Sequence, residues 1–271
     1  MPTTRYHVLA YNISHNSENK IHDDVVAKQF GFTGGLVPGV DVYAYMMHAA
    51  VGRWGRAFLE RGNASCRFMK PVYDGDIAEV EGTDSAETTA IEVISKTLHC
   101  ASGTASLPDS APMPSPMPSL ADFQPAATPA MEARMPARPA TIPIGGWFSP
   151  HPLHVTAEVA TDYLRDIREQ DPLYKREGLV HPGTILRMCN WALSHNVMLG
   201  PWIHVGSQVQ NLGVAHVGET LSARAKVTDN RNHKGHLFVD LDVLVLAEGT
   251  RPVAHVRHTA IYRPRQVAQA A

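Results

Sequence analysis

Cysteine is scarce: Cys66, Cys100 and Cys189 are the three in the chain. They are too few and too scattered for a disulfide framework, so a reducing, cytoplasmic setting is expected. No apolar run approaches the ~18 residues of a membrane-spanning helix. The opening Met-Pro-Thr-Thr-Arg-Tyr-His has no apolar h-region, so no signal peptide is expected. Charge of one sign is also missing. With 24 Lys and Arg against 26 Asp and Glu, the net charge of -2 gives no electrostatic case for nucleic acid. The 15 histidines are dispersed. His151/His154, His233/His236 and His255/His258 lack the Cys or carboxylate neighbours that would complete a metal site, and no metal is expected.

What the chain does have is apolar material for a core, 44% of its 271 residues. That length suits one large domain or two of about 100–150 residues. It is organised around Gly178-Leu-Val-His-Pro-Gly-Thr-Ile-Leu-Arg-Met-Cys-Asn-Trp-Ala-Leu. Pro182 and Gly183 mark a tight turn opening a helix. The following residues are apolar nearly all round, which means burial. A related stretch, Gly35-Leu-Val-Pro-Gly-Val-Asp-Val-Tyr-Ala-Tyr-Met-Met, lies 143 positions earlier, counting from Gly178 back to Gly35. Gly75-Asp76 and Gly218-Glu219 repeat at the same spacing of 143. Two landmarks at one spacing indicate an internal duplication.

In chain order, residues 5–13 read as a strand or edge segment, and Ser14 to Lys20 as polar loop. Asp23 or Asp24 caps a short helix. The first glycine-opened helix is expected from about Val40 to Leu59. Ser65–Lys70, Ile77–Glu81 and Ala90–His99 read as half-buried antiparallel strands. Residues 103–143 carry ten of the chain's 20 prolines among Ala, Ser and Met, and read as an extended linker. Service as a ligand for a proline-binding module is the alternative. A polar insert, Arg165 to Glu177, precedes the second helix. Four strands then follow, with a hairpin turn at Asp229–Gly235 and a frayed tail from Arg263. The units are thus 1–102, a linker 103–143, and 144–271. Each unit is expected to be a long buried helix wrapped by an antiparallel sheet, an α+β architecture that resembles a double hotdog.

Particular residues sharpen this. Phe68-Met-Lys-Pro-Val-Tyr-Asp-Gly-Asp76 resembles the F-x-x-P-V-x-x-G-D strand-turn of the MaoC-like dehydratases, the R-specific enoyl-CoA hydratase family. Pro152-Leu-His154-Val-Thr-Ala-Glu-Val-Ala160 resembles that family's hydratase motif, G-D-x-N-P-[IL]-H-x-D-x-x-x-A. Leu179-Val-His-Pro-Gly183 resembles the loop entering its helix. The resemblance covers both units but not the linker.

The resemblance implies hydration of an enoyl thioester, or the reverse dehydration, by an Asp and a His that hold a water between them. The candidate catalytic residues are His154 with Ser149 at the Asp position in the second unit. In the first unit they are His22 with Asn19 and with Ser17 at the Asp position. Neither unit carries the motif's carboxylate, and serine is a poor base. Glu18, Asp23 and Asp24, which flank His22, are possible substitutes. Motif length favours His154 over His22. The resemblance also implies that N–H groups at Gly39–Val40 or Gly183–Thr184 polarise the thioester carbonyl, as preorganised donors do. His181, Arg53 and Lys70 are candidate substrate contacts, the cations meeting CoA phosphates; a solvated surface is the plainer reading of the cations. The expected partner is an acyl-CoA or acyl-carrier thioester, with no cofactor beyond the CoA of the substrate. The chain is expected to be a monomeric pseudo-dimer or a homodimer. A hotdog thioesterase and a non-catalytic acyl-CoA binding module are the alternatives.

Overall fold

The computed structural model describes residues 2–15, 17–109 and 118–265. Along the chain lie β1 (Thr3–Leu9), α1 (Asp24–Gln29), α2 (Gly39–Trp54), α3 (Arg56–Arg61), β2 (Asn63–Phe68), β3 (Ile77–Asp84), β4 (Thr88–Ser95) and β5 (Leu98–Ser106). Then follow β6 (Met135–Pro136), β7 (Trp147–Phe148), β8 (Leu153–His154), α4 (Ala157–Asp166), α5 (Leu173–Glu177) and α6 (Pro182–Ser194). The chain closes with β9 (Val197–Met198), β10 (Ile203–Asn211), β11 (Thr220–His233), β12 (His236–Ala247) and β13 (Arg251–Arg263).

Among the described residues, 11 strands form one sheet in the order β1-β3-β4-β5-β2-β10-β13-β12-β11-β7, with β8 also on β11. The halves join where β2 pairs antiparallel with β10, Ala64 opposite Val209 and Cys66 opposite Ser207. The sheet wraps α2 and α6, whose apolar residues fill one core with the inward faces of the strands. Val239, Leu241, Val243 and Val245 are at most 1% exposed, as their alternation requires. The duplication is visible in backbone pairing. The bridge Leu36–Tyr73 recurs as Leu179–His216, and the bond Val37 N to Val72 O recurs as Val180 N to Ala215 O. Gly75 and Gly218 both take positive φ, at 74° and 96°.

Several expectations shift. The first long helix ends at Trp54 rather than Leu59. Gly55, at φ 57° and ψ -142°, breaks it, and α3 restarts at Arg56. Residues 103–106 belong to β5 rather than to the linker. Described residues of the linker beyond 118 pack on the domain. Phe123 is buried against Leu244 and Leu246 on the outer face of β12, and Ile142 enters the main core. Pro112, Pro114 and Pro116 lie outside the described residues, as does the tail from 266. The polar insert is helical in part, as α4 and α5. The β11–β12 turn is shorter than expected, since pairing continues to His233–His236. Among the described residues no helix is long and apolar enough to cross a membrane.

Candidate functional site

Pro38 caps α2, and Gly39 opens it. In its first turn the Asp41 and Val42 N–H groups donate to the Pro38 carbonyl, at 2.9 and 3.1 Å, which leaves those of Gly39 and Val40 as the donors with no acceptor in the helix. A Cβ at Gly39 would lie 3.1 Å from both the His204 Nδ1 and a Phe68 ring carbon, so only glycine leaves the approach to these N–H groups open. The end opens into a cavity of about 240 Å³ lined mostly by apolar groups, among them Leu36, Val42, Phe68, Trp202 and Ile261. Asn19, His22, Lys70, Asn190 and His204 supply its polar surface.

His22 ends a 3-10 turn, Lys20–His22, capped by Asn19. A Cβ at Gly35 would come within 2.1 Å of the His22 carbonyl, so glycine there lets the turn pack down. The His22 Nδ1 lies 2.6 Å from the Leu36 carbonyl. An N–H donated there leaves Nε2 as the acceptor nitrogen. Burial pushes the His22 pKa down to about 4, keeping the ring neutral. Asn19 Nδ2 sits 3.2 Å from His22 Nε2 and donates to the Trp202 carbonyl at 3.0 Å, while its Oδ1 accepts from Trp202 N at 3.1 Å. Asn19 thereby ties the histidine's turn to the second half.

His204 forms the opposite wall and is 6% exposed. Its Nε2 lies 2.9 Å from Ser207 Oγ, which lies 2.9 Å from Nδ1 of the fully buried His258. The two imidazoles stack with centroids 4.2 Å apart. His204 Nδ1 has no hydrogen-bond partner. Burial, and for His204 the neighbouring His258, pushes both pKa values down, that of His258 to about 3.

A second cavity of about 420 Å³ shares Asn19, His22, Pro38, Asn190 and Trp202 with the first. Ser17, Val40, Arg134 and Arg187 border it. The carboxylates that flank His22 are committed elsewhere. Glu18 is paired with Arg134 at 2.8 Å, and the bond from that guanidinium holds its pKa down. Asp23 caps α1 through Val25 N and Val26 N. Asp24 accepts from Gly35 N at 2.7 Å. Ser17 Oγ points to the Asn19 carbonyl at 3.4 Å.

The equivalent place in the second half is filled. The Tyr163 hydroxyl lies 2.1 Å from the position a Cβ on Gly183 would take, so it covers the start of α6. Tyr163 donates to Asp41 at 3.1 Å, and Arg187 lies 3.4 Å from the same oxygen. Burial raises the Asp41 pKa against both partners. His181 accepts from Gly183 N through Nδ1 at 3.0 Å and is 2% exposed. Its Nε2 lies 3.5 Å from Glu169, which His48 also contacts at 2.8 Å. Burial opposes ionisation of Glu169, but these two imidazoles hold its pKa far below the usual range.

Of the residues expected from sequence, His22, Asn19, Gly39 and Lys70 meet at the first cavity, with Ser17 and Val40 at the second. The others do not join them. His154 is exposed on the edge strand β8, 3.3 Å from the Thr220 hydroxyl. Ser149 is engaged with the linker and the loop after α6, its hydroxyl accepting from Ala126 N and its carbonyl from Thr128 and Asn196. His181 and Thr184 are buried, and Gly183 is covered by the Tyr163 hydroxyl. Arg53 spends its guanidinium on Asp84, Thr89 and the carbonyls of Ser85 and Thr88. Sequence reading passed over His204, Asn190 and Tyr163. No local motif marks them; only strand pairing across the seam and helix packing bring them to the two helix entries. Among the described residues no group of three or more His, Cys, Asp or Glu could hold a metal ion.

No family model and no curated protein matches the chain. Solved structures do. A conserved Mycobacterium tuberculosis protein with a double hotdog fold aligns over 96% of this chain and 95% of its own, at TM-score 0.63 and 16% identity. A Chloroflexus aurantiacus protein assigned as a MaoC domain dehydratase aligns over 97% and 95%, at 0.61 and 12%. A Lactobacillus plantarum protein assigned as an oleoyl thioesterase aligns over 97% and 96%, at 0.52 and 10%. With its two wrapped helices, one continuous sheet and these likenesses over nearly its whole length, the chain has the double hotdog fold, which it shares with MaoC-like dehydratases.

Proposed function

We propose that this chain is a hydratase or dehydratase of an acyl thioester, of the 2-enoyl/3-hydroxyacyl type, working at His22. The observation that carries this reading is the position of the His22 Nε2. It is the acceptor nitrogen of a neutral imidazole, met only by the Asn19 amide, it borders an apolar cavity, and that cavity begins at the N-terminus of α2. A cavity of about 240 Å³ suits a short acyl group. CoA or a carrier arm would reach it from outside, and no further cofactor is required.

One base is enough for the reaction. Asn19 releases His22 Nε2 as a water takes its place. The water oxygen bonds to C3 of the enoyl group while its proton passes to Nε2. The C2–C3 π electrons move to the thioester oxygen, where the Gly39 N–H stabilises the enolate. The imidazolium then returns its proton to C2, restoring the carbonyl. Every atom of water ends on the substrate, and the step as written uses no carboxylate.

The test is hydration of crotonyl-CoA, followed as loss of the enoyl absorbance. The parent is expected to turn over and His22→Ala to lose at least ~100-fold, the contribution typical of a positioned acid–base group. His154→Ala, on the exposed edge strand, should match the parent. Full activity in His22→Ala sinks the reading. The engagement of Glu18, Asp23 and Asp24 with other partners favours one second reading, a thioesterase that directs the same water to the carbonyl. Release of free thiol from the thioester separates the two.

A further inference from the structure

We propose that His204, carried by the second half, is the second donor to the thioester oxygen, so that the oxyanion hole spans the seam between the halves. The inference rests on the reading above for its substrate class. The buried Nδ1 of His204 lacks a partner and lies 3.1 Å from where a Cβ on Gly39 would stand. It therefore stands beside Gly39, the residue that opens α2 and whose N–H has no acceptor in the helix. An atom seated there meets the helix donors and His204 together, with the edge-on Phe68 ring, its centroid 4.8 Å from that of His204, closing a side.

The contacts with Ser207 allow the tautomer that this role needs. Ser207 has one hydroxyl hydrogen and sits between two imidazole nitrogens, each at 2.9 Å. When Ser207 gives that hydrogen to His204 Nε2, His258 Nδ1–H donates to Ser207 and His204 carries its own hydrogen on Nδ1. A thioester or enolate oxygen only accepts, so it pairs with this arrangement. Burial keeps the ring neutral, as suits a donor that polarises a carbonyl without protonating it. No proton leaves His204 during the reaction.

The test uses butyryl-CoA labelled with 13C at its carbonyl, a saturated thioester with no double bond to hydrate. Difference infrared spectra give the carbonyl stretch of the bound ligand. The parent should lower it, His204→Phe should lose most of that lowering, and Ser207→Ala should lose part. His204→Gln, which keeps a donor, should recover part. Crotonyl-CoA turnover should fall ~10²–10³-fold in His204→Phe, the usual loss for one oxyanion donor. An unchanged stretch in a folded His204→Phe overturns the inference. Should that variant fail to fold, unchanged stretch and turnover in both Ser207→Ala and His204→Gln overturn it. A parent that binds butyryl-CoA with a lowered stretch but never hydrates crotonyl-CoA removes the hydratase reading and leaves His204 judged by the spectra. A parent that binds with no lowering, or does not bind, removes the donor role.

Discussion

A histidine whose Nδ1 proton is held by a carbonyl 2.6 Å away keeps one nitrogen for chemistry, and burial decides the pH at which that nitrogen fills. Folded His22 titrates at about 4, and an unfolded histidine at about 6.5. As pH falls through this interval the unfolded chain takes up the proton first. The stability tied to neutral His22 is therefore whole above the upper value and lost toward the lower one. His258, held at about 3, continues the same loss. Urea midpoints between neutral pH and pH ~4 should fall more steeply for the parent than for His22→Asn; parallel slopes would refute this. Gly39→Ala is expected to lower kcat/KM at least ~10-fold by closing the approach to the helix donors, against a helix-propensity gain of up to about 1 kcal/mol that should keep Tm near the parent's. Parent-like kinetics in a folded Gly39→Ala would show that nothing reacts at that helix end. Sequence spacing made His154 look the better motif histidine. The motif is a line of residue types, while the site depends on local conformation. His22 lies on a 3-10 turn against Leu36, and His154 lies on a strand whose alternation turns Leu153 inward and the imidazole outward.

At the scale of elements, α2 and α6 are related by duplication and differ in what meets their first turns. The difference comes from α4, which brings Tyr163 over Gly183. Tyr163→Phe keeps the ring and removes the donor to Asp41, a carboxyl that is fully buried and already has one unpartnered oxygen. Its loss should reduce unfolding free energy by about 1–3 kcal/mol, read from urea denaturation, with crotonyl-CoA turnover retained. A stability equal to the parent's would mean that the tyrosine only fills space. The two buried helices were legible because their apolar faces and glycine entries are local features. The break at Gly55 was not, since glycine inside an apolar pattern reads as continuous until the backbone turns to φ 57°. The helical character of the polar insert was likewise hidden, because α4 earns its place by covering another helix.

For the molecule as a whole, the seam is the pairing of β2 with β10, which makes two hotdogs one sheet. The repeat at 143 positions predicts two similar units but says nothing of which edges meet, and the edges decide which side chains share a pocket. The linker reinforces the joint. Arg134 reaches Glu18 of the first half and the Ser194 carbonyl of the second, and the linker's own Phe123 and Ile142 are buried against the domain. Far-UV circular dichroism and tryptophan fluorescence should therefore report one coincident urea transition. Separate transitions would show that the halves are held independently.

Because both walls of the His22 pocket belong to one polypeptide, the meeting of His22 with His204 does not depend on how many molecules are in the tube. In a pair of separate subunits, thinning the solution below the dissociation constant would pull the walls apart and silence the pocket. Here the partner concentration is fixed by the covalent tether. Turnover per mole of enzyme should stay level from micromolar to nanomolar protein, and a decline on dilution would mean that a second copy completes the pocket.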